Sequence, residues 1–223
     1  MKLKLFCLLS SCFALFMPLS ADDHYAPIPV YSEIKDINHP TLDDFRLVQK
    51  YLATGERSII KRCKDYEPNA RHFKLIGDGP NELPRSELIS VNCTENDKDN
   101  ILICYSSFNK NYPRGLERLV SFAKNSDFKG HIFYRLGGWP NTEEGSLTLA
   151  HVPYAFKACL FKEVQKMGYK RAFWLDTAVL PIVSLNEIFK MIQEKGYLFV
   201  ANCHNIGPYM NPIAADAFGL TLG

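Results

Sequence analysis

Pro153-Tyr154-Ala155-Phe156-Lys157-Ala158-Cys159-Leu160-Phe161-Lys162-Glu163-Val164-Gln165-Lys166-Met167-Gly168-Tyr169-Lys170-Arg171-Ala172-Phe173-Trp174-Leu175-Asp176 reads as one helix, one glycine turn and one strand. Phe156, Leu160, Val164 and Met167 recur at helical spacing and mark a buried stripe. Proline at the start and Gly168 after the end punctuate a helix over Pro153 to Met167. Arg171 to Asp176 is then a short apolar strand that ends on a carboxylate.

The same alternation extends in both directions. Upstream, Ile101-Leu102-Ile103-Cys104-Tyr105 is a buried-strand run, and Leu116, Leu119, Val120 and Ala123 form a helical stripe. His131-Ile132-Phe133-Tyr134 is a second strand, followed by a loop at Gly137-Gly138-Trp139-Pro140. Downstream, Ser184 and Glu187 have capping-box spacing, and their helix runs to Lys195 with Gly196 behind it. Tyr197 to Ala201 is a fourth strand. This order predicts an α/β domain over 101–223, with a mainly parallel sheet and right-handed crossovers.

Residues 22–100 read as a lead-in and a small α/β region. The stretch 22–40 is rich in Pro, Asp and His and is expected to be extended. Thr41 can cap a helix whose stripe is Leu42, Phe45, Val48 and Leu52 and which Gly55 ends. His72 to Ile76 and Glu87 to Val91 are candidate strands around a turn at Gly77-Asp78-Gly79-Pro80, and Asn92 to Asn100 is a polar loop.

The first residues carry targeting grammar. Lys2 and Lys4 precede an apolar or small run from Leu5 to Met17, Pro18 breaks it, and Ala21 offers a cleavage residue before Asp22. Residues 1–21 are therefore read as a signal peptide that exports the chain, to the periplasm, outside the cell or into a secretory lumen. The run is shorter than the ~20 residues of a spanning helix, so no membrane span is expected after cleavage. Cleavage removes Lys2 and Lys4, so the 26 Lys and Arg fall level with the 24 Asp and Glu. A neutral mature chain gives no reason to expect nucleic acid as a partner. Cys7 and Cys12 leave with the signal, and Cys63, Cys93, Cys104, Cys159 and Cys203 remain. Five is odd, so at least one thiol is free or pairs between chains. Cys63 and Cys93 lie in polar stretches and are candidates to pair.

Ligands of parallel sheets sit at the carboxyl ends of the strands. Asp176 reaches that edge on its strand, and Lys157 reaches it in the first turn of the preceding helix. The lengths agree, since about fifteen residues at ~1.5 Å match about six at ~3.3 Å. Lys157 and Asp176 are thus expected to border one cavity, a cation suited to phosphate beside an anion suited to a metal. The plain reading is an ordinary ion pair. Tyr105 could stack on a base, and Ser106, Ser107 and Asn109 could bind ribose or phosphate, beside the plain reading of turn chemistry. His204 follows the fourth strand as a candidate metal ligand or a solvated loop histidine. Nucleophile-elbow, P-loop, dinucleotide and zinc-protease motifs are absent.

Three stretches carry a family resemblance: Pro153 to Lys157, Met167 to Asp176, and Ser184-Leu185-Asn186-Glu187-Ile188-Phe189. Together they resemble the nucleotide-diphospho-sugar transferase superfamily, the glycosyltransferase A-fold, over about 100 residues from 101 to 201. The resemblance implies a Rossmann-like half that holds a nucleoside diphosphate sugar and transfers the sugar to a hydroxyl of a saccharide or protein acceptor. It also implies Mn²⁺ or Mg²⁺ held by an Asp-x-Asp motif. The triplet here is Asp176-Thr177-Ala178, so Asp176 matches the first position and Ala178 does not match the second. The chain ends at Gly223, where the family continues, and so reads as a truncated or divergent member. The alternative is an exported carbohydrate- or host-factor-binding protein without catalysis, with Trp139 and Tyr209 as sugar-stacking platforms.

Overall fold

The computed structural model describes residues 32–54, 74–140, 143, 145–151 and 154–198. The signal segment, Cys63, Cys203, His204, Tyr209 and the expected strand beyond Leu198 lie outside those residues. The elements run α1 (Leu42–Thr54), β1 (Arg85–Val91), β2 (Asn100–Ser106), α2 (Tyr112–Lys124) and β3 (Gly130–Leu136). A 3-10 helix (Leu147–His151), α3 (Ala155–Lys166), β4 (Arg171–Trp174) and α4 (Leu185–Lys195) follow.

β2 lies inside the sheet because its sequence is apolar on both faces. Ile101, Ile103 and Tyr105 point into one core, shared with Val48 and Leu52 of α1 and Phe156, Leu160, Phe161 and Val164 of α3. Leu102 and Cys104 point into a second core, with Leu116, Leu119 and Ala123 of α2 and Leu185 and Phe189 of α4. Alternate residues of a strand face opposite sides, so one continuous apolar run serves two helical layers. Residues on either side of position 100 therefore share one core.

The sheet order is β1-β3-β2-β4. β2 pairs in parallel with β3 and with β4, while β1 lies antiparallel along the outside of β3. The sheet is thus mixed, which corrects the expected mainly parallel sheet. The antiparallel member comes from the region where the sequence pattern was least regular. The turn at Gly77 is present, with the Glu82 carbonyl accepting from the Gly77 N–H at 3.1 Å, but Lys74 to Ile76 form no strand.

Two helix starts show how local chemistry sets these elements. At α1, the Thr41 hydroxyl accepts from the Asp44 N–H at 3.3 Å, and the Asp44 carboxylate accepts from the Thr41 N–H at 2.7 Å, a reciprocal cap. At α4, Ser184 Oγ accepts from the Asn186 N–H at 3.2 Å and donates to Asp127 at 2.8 Å. Asn186 in turn donates to the Asp127 carbonyl at 2.6 Å and accepts from the Lys129 N–H at 2.9 Å. Asp127 and Lys129 immediately precede β3. Helix α4 therefore starts at the amino edge of the strands, after residues 177–183 have run back from the carboxyl edge. A crossover helix between parallel strands starts at the carboxyl edge instead. Tyr197 and Leu198 after α4 have no strand structure. No helix among the described residues is long and apolar enough to cross a membrane.

Candidate functional site

Helix α3 and strand β4 bring Lys157 and Asp176 together at the carboxyl edge. Lys157 Nζ lies 3.0 Å from Asp176 Oδ1 and 3.4 Å from Oδ2. The lysine side chain is 20% exposed and the aspartate 58%, so the cation is sheltered and the carboxylate faces solvent. Lys157 owes its shelter to two rings, with Nζ 5.1 Å from the centroid of Tyr154 and 5.2 Å from that of Trp174. Both distances suit a cation–π interaction. The indole N–H of Trp174 also donates to Asp176 Oδ1 at 2.9 Å.

The pair is held by structure on every side. The Leu175 N–H donates to the Ile103 carbonyl at 3.1 Å, which carries the β2–β4 pairing one residue past the strand. The Val179 N–H donates to the Asp176 carbonyl at 2.9 Å and closes a turn. Thr177 is buried, and Gly115 of α2 packs so closely on it that an added Cβ would lie 2.6 Å from the Thr177 carbonyl oxygen. Tyr154 precedes α3 with φ 63°, a left-handed conformation that costs a non-glycine residue about 1 kcal/mol. Such strain persists where the surroundings over-determine it. Here it sets the ring beside Lys157.

The remaining expected residues lie elsewhere. Tyr105 is 5% exposed, stacked on Phe156 with centroids 4.4 Å apart, and its hydroxyl donates to the Gly138 carbonyl at 3.0 Å. Burial pushes its phenol well above the ordinary range. Tyr105 therefore ties the end of β2 to the Gly137-Gly138 turn inside the core. Ser106 is buried, and its hydroxyl donates to the Ser107 carbonyl at 2.9 Å. Asn109 is buried and accepts from the Lys74 N–H at 2.6 Å, which fastens the segment before β1 to the loop after β2. Trp139, expected on an open loop, is 4% exposed and belongs to the core beneath α3. Its neighbours Gly137 and Gly138 take φ of 65° and 61°, and a Cβ on Gly137 would lie 2.2 Å from the Phe108 ring.

Cys93 is a free thiol, and Cys63, its candidate partner, lies outside the described residues. Cys104 is a buried free thiol, and Cys159 is buried in α3. Burial raises the Cys104 thiol far above its ordinary value, and the charge on Asp176 adds to the effect.

Trp174 and Tyr154 are the site residues that sequence reasoning passed over. For Trp174 the clue was available, because residues i and i+2 of a strand share a face and Trp174 stands two before Asp176. Among the described residues no three His, Cys, Asp or Glu gather closely enough to hold a metal ion. Asp176 Oδ1 already receives two donors, and Ala178 brings no second carboxylate. The described donor set thus does not by itself fit the Mn²⁺ or Mg²⁺ that the resemblance implies. Comparison with protein-family models, with curated proteins and with solved structures returns no match.

Proposed function

We propose that the carboxyl edge of β4 binds a nucleoside diphosphate sugar, and that the chain transfers the sugar to an acceptor hydroxyl. The observation that carries this reading is the Lys157–Asp176 pair, 3.0 Å apart, with a sheltered cation and an open carboxylate. Parallel strands present their ligands at this edge. A diphosphate is an anion that Lys157 can take from Asp176 by a shift of its flexible stem. The released carboxylate then accepts hydrogen bonds from sugar or ribose hydroxyls. Beside the pair stands the half-buried ring of Tyr154, which offers an apolar wall to a sugar or base, with Trp174 buried behind it.

In the proposed reaction the acceptor oxygen bonds to the anomeric carbon as that carbon's bond to the diphosphate oxygen breaks. The electron pair leaves on the diphosphate, whose oxygen takes up the proton that the acceptor hydroxyl gives up. Lys157 bears on the first of these events, since a fixed cation beside the departing diphosphate stabilises the charge that develops there. No step is routed through a metal, because the described donors do not build a site for one. Export of the chain, read from residues 1–21, belongs to the same proposal, with the donor sugar met in a compartment that supplies it.

The test is calorimetric titration of the purified chain with uridine and guanosine diphosphate sugars, beside Lys157→Ala. Saturable binding that the substitution weakens about tenfold or more is expected, as for loss of a charged contact to a ligand. A folded chain that binds neither sugar nucleotide at millimolar concentration contradicts the reading.

A further inference from the structure

Strand β1 is an outer edge of the sheet, and among the described residues no strand lies beyond it. All seven of its residues pair in unbroken register with β3, from Arg85 opposite Leu136 to Val91 opposite Gly130. Edge strands are ordinarily guarded by a bulge, a lysine, a proline or a covering segment. Arg85-Ser86-Glu87-Leu88-Ile89-Ser90-Val91 contains no lysine, no proline and no bulge, its charges are one of each sign at Arg85 and Glu87, and most of its residues are exposed. Leu88 is 46% exposed and Leu83, just before the strand, 41%. Helix α2 stops short of the edge as well. A groove of about 430 Å³ remains between α2 and the β1–β3 pair, lined by Arg85, Glu87, Ile89, Leu116, Val120 and Tyr134 among others.

We propose that this edge docks a second copy of the chain, β1 against β1 in antiparallel register about a two-fold axis at Ser86. The argument is self-complementarity. In that register Arg85 lies opposite Glu87 of the second copy, and Glu87 opposite its Arg85. Ser86 meets Ser86, Pro84 meets Leu88, and Leu83 meets Ile89. From Leu83 to Ile89 each charge faces its opposite and each apolar residue faces an apolar one, while Ser90 and Val91 fall opposite Glu82 and Asn81, which precede the strand. Cross-strand pairs of this kind are the unit of sheet stabilisation.

Other registers break this match. Centring on Glu87 sets like charges against each other, and centring on Leu88 sets Arg85 against Val91 and Glu87 against Ile89. Where Arg85 and Glu87 form the hydrogen-bonded pair, Pro84 falls at a position that requires no N–H. The contact is isologous and so closes at two copies, with no growth beyond them. Glu87 already accepts the Tyr134 hydroxyl, and a carboxylate has room for a second donor. The carboxyl edge at Asp176 belongs to β4, at the other side of the sheet, so docking leaves it open.

The test is sedimentation equilibrium of the purified chain over a wide concentration range, with Arg85→Glu, Glu87→Arg and the double variant carrying both. A monomer–dimer equilibrium is expected. Each single variant places like charges in both cross-strand pairs and weakens the dimer about tenfold or more. The double variant restores it, because every pair is again opposite in sign. That recovery also answers any concern that a single variant has misfolded, with circular dichroism of all four chains alongside. A chain that is monomeric throughout overturns the proposal. So does a dimer indifferent to the single variants, or one that the double variant fails to restore.

Discussion

β1 and β2 are both seven residues long and belong to one sheet, yet they are held by different physics. β2 is buried almost from end to end and packs against helices on both faces. β1 is exposed along most of its length and has a strand on one side only. β2 forms because burial of Ile101, Leu102, Ile103 and Cys104 repays the ordering of the chain. β1 forms because β3 offers it a ladder of hydrogen-bond partners. A sheet thus combines a strand specified by its own sequence with one specified largely by its neighbour.

That contrast can be broken by substitution, and the largest effect is expected beneath the sheet. Trp139→Ala should cost about 3–5 kcal/mol by urea unfolding, since it hollows out the core under α3. A near-neutral result would return Trp139 to the open loop expected from sequence. Leu102→Ala, at a position with no exposure, should cost about 2–5 kcal/mol in the same measurement. Tyr105→Phe should cost about 1 kcal/mol by removing the hydroxyl that serves Gly138, and should leave sugar-nucleotide affinity unchanged. Leu88→Thr on β1 should stay within about 0.5 kcal/mol, as for an exposed position. A large loss there would show that the edge strand is as tightly specified as the central one.

The amino edge supplies a pH test. His131 is buried at the start of β3, its Nε2 has no hydrogen-bond partner among the described residues, and burial pulls its pKa below the ordinary 6.5. Lys98 strengthens that shift, while Asp97 and Glu95 oppose it. With the folded pKa below the unfolded one, the unfolded chain takes up the proton first as pH falls. Stability should therefore be complete above about pH 7 and decline as pH drops through 6.5 towards the folded value. Thermal melts between pH 8 and pH 5 check this, and His131→Asn should flatten the slope over that window. Asp99, whose carboxyl Lys170 holds below its ordinary value, keeps its stabilising contribution throughout this window and loses it only in more acid solution.

What the sequence made legible follows from the same physics. β2, β3 and β4 stand out because continuous apolar runs announce strands buried on both faces. The meeting of Lys157 and Asp176 was legible because a helix and a strand of matched length return the chain to one edge. Tyr105 was misplaced although its parity was readable, because Ile101, Ile103 and Tyr105 share the face that α3 covers. The extent of β1 and its antiparallel course were not legible. Arg85 to Val91 neither alternates nor runs apolar, and its partner β3 lies some 40 residues further along the chain. The Ser184 cap could be read, but its attachment to Asp127, which moves the start of α4 to the amino edge, is a contact between residues 57 apart.

The central claim is that Asp176 and Lys157 form a ligand site and not merely an ion pair. Asp176→Ala tests it most directly, by calorimetric titration of a uridine diphosphate sugar into the purified wild-type and variant chains. The account predicts saturable binding by the wild type and its loss in the variant, with both chains folded by circular dichroism. Equal binding by the two chains, or none by either, would contradict it.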